Sequence, residues 1–216
     1  MQNFLSRIMR LFFGLFIYSF GIVLTIKADI GFAPWEVFHK GVASISGFTI
    51  GQISIITGFF ICAAVYLMGE KLGIATVLNM AFIGIFMDII LAADFIPRMD
   101  SFISGFLMLF LGLFTIAAAS YFYMSSSFGA GPRDSLMVAL EKKTGLTSGI
   151  CKAIIEGSAV LAGWMLGGPV GLGTVIAAFG IGFCIEIVFR LLKFEPSKIE
   201  HETFNKTFSK LNLSKN

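Results

Sequence analysis

The sequence predicts an all-α membrane protein. Six transmembrane helices form two inverted three-helix repeats, with a short amphipathic helix or half-helix after the first span of each. Three observations lead there. Only 13% of the 216 residues are charged and 56% are hydrophobic, with a mean hydropathy of +0.88, whereas a soluble domain is about 25% charged. The charges cluster between apolar runs of about 20 residues, the length that crosses a bilayer as a helix. The chain also repeats itself at an offset of 98 residues, most visibly at Gly31-Phe-Ala-Pro34-Trp35-Glu36 and Gly129-Ala-Gly131-Pro132-Arg133-Asp134. Phenylalanine dominates the aromatics, 25 copies against 4 tyrosines and 2 tryptophans; its ring has no polar atom to satisfy in lipid.

The first span is expected at 8–26, after Arg7 and Arg10. It resembles a signal peptide, but the apolar run continues through Ile26 and shows no small-residue cleavage site, so a retained span is expected. Next comes the Gly-flanked break and a helix start, with Pro34 at the first position and Glu36 near the positive end of the backbone dipole. Residues 34–46 are too short to span. As a helix they place Trp35, Phe38, Val42 and Ile45 on one side and Glu36 with Lys40 on another. Two arrangements fit: a half-helix dipping into the membrane within protein, or a helix lying flat at the interface, anchored by Trp35 and capped by its own acid. Spans at 51–68 and 73–93 are joined by the tight Gly69-Glu70-Lys71 link, which predicts an antiparallel hairpin.

The second half opens with a span at 104–124, followed by the second proline-acid start. Arg133 stands there where Trp35 stands in the first copy. Either the halves differ in their work, or Arg133 serves the charge bias that sets orientation. Spans at 150–167 and 171–192 are joined through Gly167-Gly168-Pro169, predicting a second hairpin. The organisation is therefore a first repeat at 1–98, a second at 99–192, and a polar cytoplasmic tail at 193–216. In the tail Ile199, Phe204, Phe208 and Leu211 recur at rough helical spacing, fitting either a surface helix or a disordered segment.

Sliding the chain by 98 residues aligns seven glycine pairs, including Gly31/Gly129, Gly51/Gly149, Gly73/Gly171 and Gly84/Gly182. Roughly one such pair is expected by chance. Pro34/Pro132, Thr49/Thr147, Thr76/Thr174, Glu36/Asp134 and Asp88/Glu186 match as well. Three spans per half is an odd number, so the second half enters the membrane from the opposite side. With the N-terminus inside, 13 lysines and arginines fall on the cytoplasmic side and 3 outside; without the tail it is 8 against 3. Both counts put the N- and C-termini in the cytoplasm.

A carboxylate within a span costs about 2.5–3.5 kcal/mol unless it is paired or wetted, which makes it a functional candidate. Asp88 and Glu186 lie in such places. Glu186 has Arg190 one turn away and Glu156 has Lys152, so local pairing is their competing explanation. Asp88 has only Ala92 at that spacing. Amide-rich helix starts can hold an anion, while Glu36 and Asp134 attract cations or a proton. The candidates for a solute or ion pathway are thus Pro34, Trp35, Glu36, Asp88, Pro132, Arg133, Asp134, Glu156 and Glu186.

Catalytic motifs are missing: the sequence has no HExxH, P-loop or dinucleotide fingerprint. Cys62, Cys151 and Cys184 are scattered within spans and read as packing residues, and His39 and His201 lie in unrelated contexts. No metal site, cofactor or enzyme activity is expected. Loop charges that set orientation account for the net charge of +3 without nucleic acid.

The segment Lys27-Ala-Asp29-Ile-Gly31-Phe-Ala-Pro34-Trp35-Glu36-Val-Phe-His39-Lys40-Gly41, followed by Thr49-Ile-Gly51, resembles the YczE/YyaS/YitT family of bacterial integral membrane proteins, and its YczE-like branch most. The hydropathy match runs over about 8–192, leaving the tail outside. The resemblance implies a multi-pass protein of the bacterial cytoplasmic membrane and supplies no substrate. The residues lead to a small secondary transporter for a small polar solute or ion, its pathway at the interface of the inverted repeats and a homodimer allowed. The alternative is a non-transporting accessory of a partner complex, such as one producing an antibiotic, a role proposed for the YczE-like branch.

Overall fold

The computed structural model describes residues 4–70, 72–129 and 131–195. They form eight helices: α1 (Phe4–Lys27), α2 (Pro34–Ser46), α3 (Ile50–Leu67), α4 (Ile74–Ala93), α5 (Phe102–Met124), α6 (Pro132–Thr144), α7 (Ser148–Met165) and α8 (Leu172–Leu191). Expected spans and observed helices agree to within four residues at every end. Five of the helices, α1, α3, α4, α5 and α8, are long and apolar enough to cross a membrane. The expected fifth span corresponds to α7, which brings the number of candidate spans to six only when it is counted with α6. Lys152, Glu156 and Ser158 dilute α7, which qualifies only together with α6, across a break bent by 120°. The tail at 196–216 lies outside the described residues.

The centre is α1 against α5. They run antiparallel: Gly14 abuts the backbone of Tyr123, Gly21 abuts Ile116, and Gly105 abuts Ala28. A Cβ at Gly14 or Gly21 would stand less than 3 Å from its neighbour, so glycine is what lets the backbones meet. Leu11, Leu15, Val23, Leu109 and Leu113 are fully or almost fully buried there. Phe59, Phe60, Leu107, Phe179 and Phe183 are exposed on the outer helix faces. Many large apolar side chains exposed on helices of bilayer length suit lipid, not water.

The other helices flank this pair. α4 packs on α1 and α8 on α5; α2 lies against α7, and α3 against α6. The links after α1 and α5 make like bonds across the molecule. Gly173 N–H donates to the Ile30 carbonyl at 2.7 Å, and Ala75 N–H donates to the Phe128 carbonyl at 3.0 Å. Gly31 abuts Gly171, and Gly129 abuts Gly73. At one end, Lys27–Asp94 (2.5 Å) and Arg98–Asp29 (2.6 Å) clasp the loops around α1 and α4. Asp29 holds the exposed Arg98 guanidinium above its usual range by hydrogen bonding and charge.

The two expected hairpins differ. α3 and α4 close tightly, with Gly51 on Gly84 and Gly58 on Met80. α7 and α8 scarcely touch along their lengths despite the short turn between them. The second hairpin therefore has a connected base and open arms.

Candidate functional site

The two proline-started helices begin next to each other. Pro34 and Pro132 occupy the first turns of α2 and α6, each after an extended residue (Ala33, Gly131) that offers no side-chain cap. Glu36 and Asp134 complement the dipoles of these uncapped first turns. Both prolines are buried.

Arg133 joins the halves. Its Nη2 lies 3.5 Å from Glu36 Oε1, and its guanidinium sits 4.8 Å from the centroid of the Trp35 ring. Glu36 is only 4% exposed. Such a carboxylate needs a charge partner, and the one available comes from 97 residues away in sequence. Asp134, the next residue, accepts a hydrogen bond from the Tyr123 hydroxyl at 3.1 Å. The asymmetry between Trp35 and Arg133 becomes a direct contact: a cation over an aromatic face.

Two cavities flank this junction. One, about 80 Å³, is lined by Tyr18, His39, Ser54, Thr57, Asn79, Tyr123 and the start of α6. The other, about 240 Å³, is lined by Ala33 to Glu36, Met137, Lys152, Glu156 and the inner faces of α5 and α8. Tyr18, Ile22, Arg133 and Asp134 border both. A third space, about 590 Å³, lies between α7 and α8 and shares Pro34, Lys152, Glu156 and Ala178 with the second. His39 is 1% exposed, and its Nδ1 makes no hydrogen bond among the described residues.

The structure thus brings Pro34, Trp35, Glu36, Pro132, Arg133, Asp134 and Glu156 into one region. Glu156 also keeps Lys152 at 3.8 Å. Two candidates lie elsewhere. Glu186 is exposed and holds Arg190 at 2.6 Å. Asp88 is not without partners: it accepts from the Thr49 hydroxyl (2.5 Å) and the Gly51 amide (2.9 Å), both on the neighbouring hairpin arm. It ties the start of α3 to α4. Asp88→Asn should cost about 1.5–3 kcal/mol by weakening two charge-assisted bonds. A shift of the thermal unfolding midpoint in detergent checks this, and an unchanged midpoint would deny Asp88 that role.

The expected pairing of Glu36 with Lys40 on one face is also corrected. Glu36 and His39 are buried, whereas Lys40 is exposed. The apolar side of α2 carrying Trp35, Phe38 and Val42 is only partly buried, and Ile45 is 67% exposed. The buried face of α2 carries Glu36 and His39 together with Pro34, Val37 and Ala43. Tyr18, in the middle of α1, and Tyr123, in the last turn of α5, are absent from the residues singled out above. Their hydroxyls were the available signal, since a buried tyrosine oxygen needs a partner.

A charged junction with a buried Glu36, inside a set of apolar helices, defines a multi-span helical membrane protein with a polar centre. The chain belongs to a family described as Family of unknown function (DUF6198), whose model matches residues 5–190. It is similar to the Uncharacterized membrane protein YczE of Bacillus subtilis (strain 168), 36% identical over 179 residues and 81% of each chain. An Uncharacterized protein of Haemophilus influenzae is 31% identical over 186 residues, 84% of this chain and 83% of its own. The Uncharacterized protein YyaS of Bacillus subtilis is 23% identical over 185 residues, 83% and 90% respectively. The resemblance to YczE and YyaS is therefore shown. No solved structure matches.

Proposed function

We propose that the protein is a small secondary transporter, not an enzyme, moving a small polar solute or ion between two inverted three-helix repeats. The observation that carries the reading is the meeting of α2 and α6: two uncapped helix starts, each with its acid, joined by Arg133 and flanked by cavities on both sides. Interrupted helices at corresponding places of opposed repeats are where transporters bind their cargo.

Equivalent bonds 98 residues apart support the inverted arrangement: Ile30 with Gly173, and Phe128 with Ala75. The larger junction cavity, about 240 Å³, is below the roughly 300–1,000 Å³ of drug-sized sites. The solute is therefore small. Arg133 and Lys152 face anionic groups, while Asp134 and Glu156 face cationic groups or a proton. With both termini in the cytoplasm, as the lysine and arginine bias supports, the space between α7 and α8 opens inward, in the bacterial cytoplasmic membrane.

Proteoliposome uptake of candidate amino acids, organic anions and cations tests the proposal. A Glu36→Gln/Asp134→Asn double variant should transport at least tenfold more slowly than the parent while eluting as the same folded species. Equal flux in an active preparation would remove both acids from the pathway. Absence of flux with every solute would favour the accessory role.

A further inference from the structure

We propose that α7 is a lever that closes onto α8 through the same residue set that already closes α3 onto α4, so that one hairpin is shut while the other stands open. The inference concerns helix packing and goes beyond the question of which solute crosses.

The shut hairpin defines the set. Gly51 meets the Gly84 backbone with no room for a Cβ on either side, and Gly58 receives the Met80 side chain. The seam is fastened by Asp88, which takes the Thr49 hydroxyl and the Gly51 amide. Thr49, Gly51 and Gly84 recur 98 residues later as Thr147, Gly149 and Gly182, and Asp88 is answered by Glu186. In the open hairpin Gly149 and Gly182 have nothing within 4 Å of a Cβ position, the Thr147 hydroxyl makes no cap, and Glu186 rests on Arg190. A pair of glycines facing open space in two apolar helices has no steric use in that position. It has one when the arms meet.

The sizes agree. Where the shut hairpin sets Gly58 against Met80, the open one sets Glu156 against Ala178, and both of these line the space between α7 and α8. Large faces small in each seam, with the order exchanged. Closure therefore needs no side chain to be removed. Glu186 exchanges Arg190 for the Gly149 amide and the Thr147 hydroxyl, one charge-assisted contact for two.

The lever has a fixed end. Gly163 and Gly168 press directly on the backbone of Val37 and Phe38 in α2, and Phe32 N–H donates to the Pro169 carbonyl at 3.0 Å. That end of α7 stays put while the end carrying Gly149 swings. α6 stays against α3, and the left-handed Gly145 between α6 and α7 supplies the hinge. The Lys142–Glu70 pair helps keep α6 on the α3–α4 link while α7 moves.

The test places cysteines at both open glycines, Gly149→Cys and Gly182→Cys, in a chain whose three native cysteines are alanine. Mild oxidation in native membranes should protect both thiols from a maleimide reagent, reversibly with reductant. Adding Glu186→Leu should slow that protection at least tenfold, because the clasp is gone. Spin labels replacing the exposed Ile154 and Ile187 read the same motion without touching the seam. Two distances are expected, and Gly149→Leu should abolish the shorter. The proposal is overturned by accessible thiols in folded protein, by protection as fast without the Glu186 carboxylate, or by a single distance that Gly149→Leu leaves unchanged.

Discussion

Arg133→Met should be the most damaging single substitution in the molecule, lowering stability by about 3–5 kcal/mol. That range is typical when one partner of a buried ion pair is removed and the other is left behind, and its lower end applies here because the Arg133 side chain is 32% exposed. The side left behind here is Glu36, 4% exposed and 3.5 Å from the guanidinium. The methionine fills much of the volume, so the loss measures charge and not a cavity. The diagnostic comparison is the double variant Glu36→Gln/Arg133→Met. Removing both charges leaves no carboxylate stranded, and most of the lost stability should return. Thermal denaturation of the detergent-solubilised protein gives all four corners of the cycle. Tryptophan emission offers a second view, because Arg133 covers the Trp35 ring at 4.8 Å. A double variant no more stable than the single one would mean that the pair does not hold the halves together.

The second large effect is a difference of sign between equivalent glycines. Gly51→Ala should destabilise by about 1–3 kcal/mol, the usual cost of forcing atoms into a filled seam. Its new Cβ would overlap the Gly84 carbonyl oxygen and the Asp88 carboxylate. Gly149→Ala, 98 residues on, meets no atom within 4 Å. That substitution should be neutral or stabilising, by up to about 1 kcal/mol from the better helix propensity of alanine. Unfolding midpoints of the two variants measured side by side decide it. Equal losses at both positions would contradict the open arrangement of α7 and α8.

Helix positions were legible because lipid imposes them. Nothing but a helix satisfies its own backbone in an apolar run of bilayer length, so each boundary fell within four residues. α7 is less apolar than the other long helices because Lys152 and Glu156 line the junction cavity. The proline-acid starts were visible through local rules of helix initiation, which act over four or five residues. Their contact was not: the approach of Arg133 to Glu36 depends on how two links fold back across α1 and α5, and a one-dimensional pattern carries no such distance. Asp88 illustrates the same limit. Its side-chain neighbours at helical spacing are apolar, so it looked isolated, while its partners Thr49 and Gly51 lie on another helix. Exposed Glu186 shows the converse, since its local pair with Arg190 was readable and is what the structure has.

The antiparallel crossing of α1 and α5, held by glycines that bring main chains into touch, has a practical corollary. Two helices locked this closely cannot slide without one backbone striking the other, so the separation between probes attached to them stays constant whatever the outer helices do. Such a pair is an internal ruler: changes recorded elsewhere in the protein can be scaled against it, and drift in the ruler itself would reveal unfolding, not function.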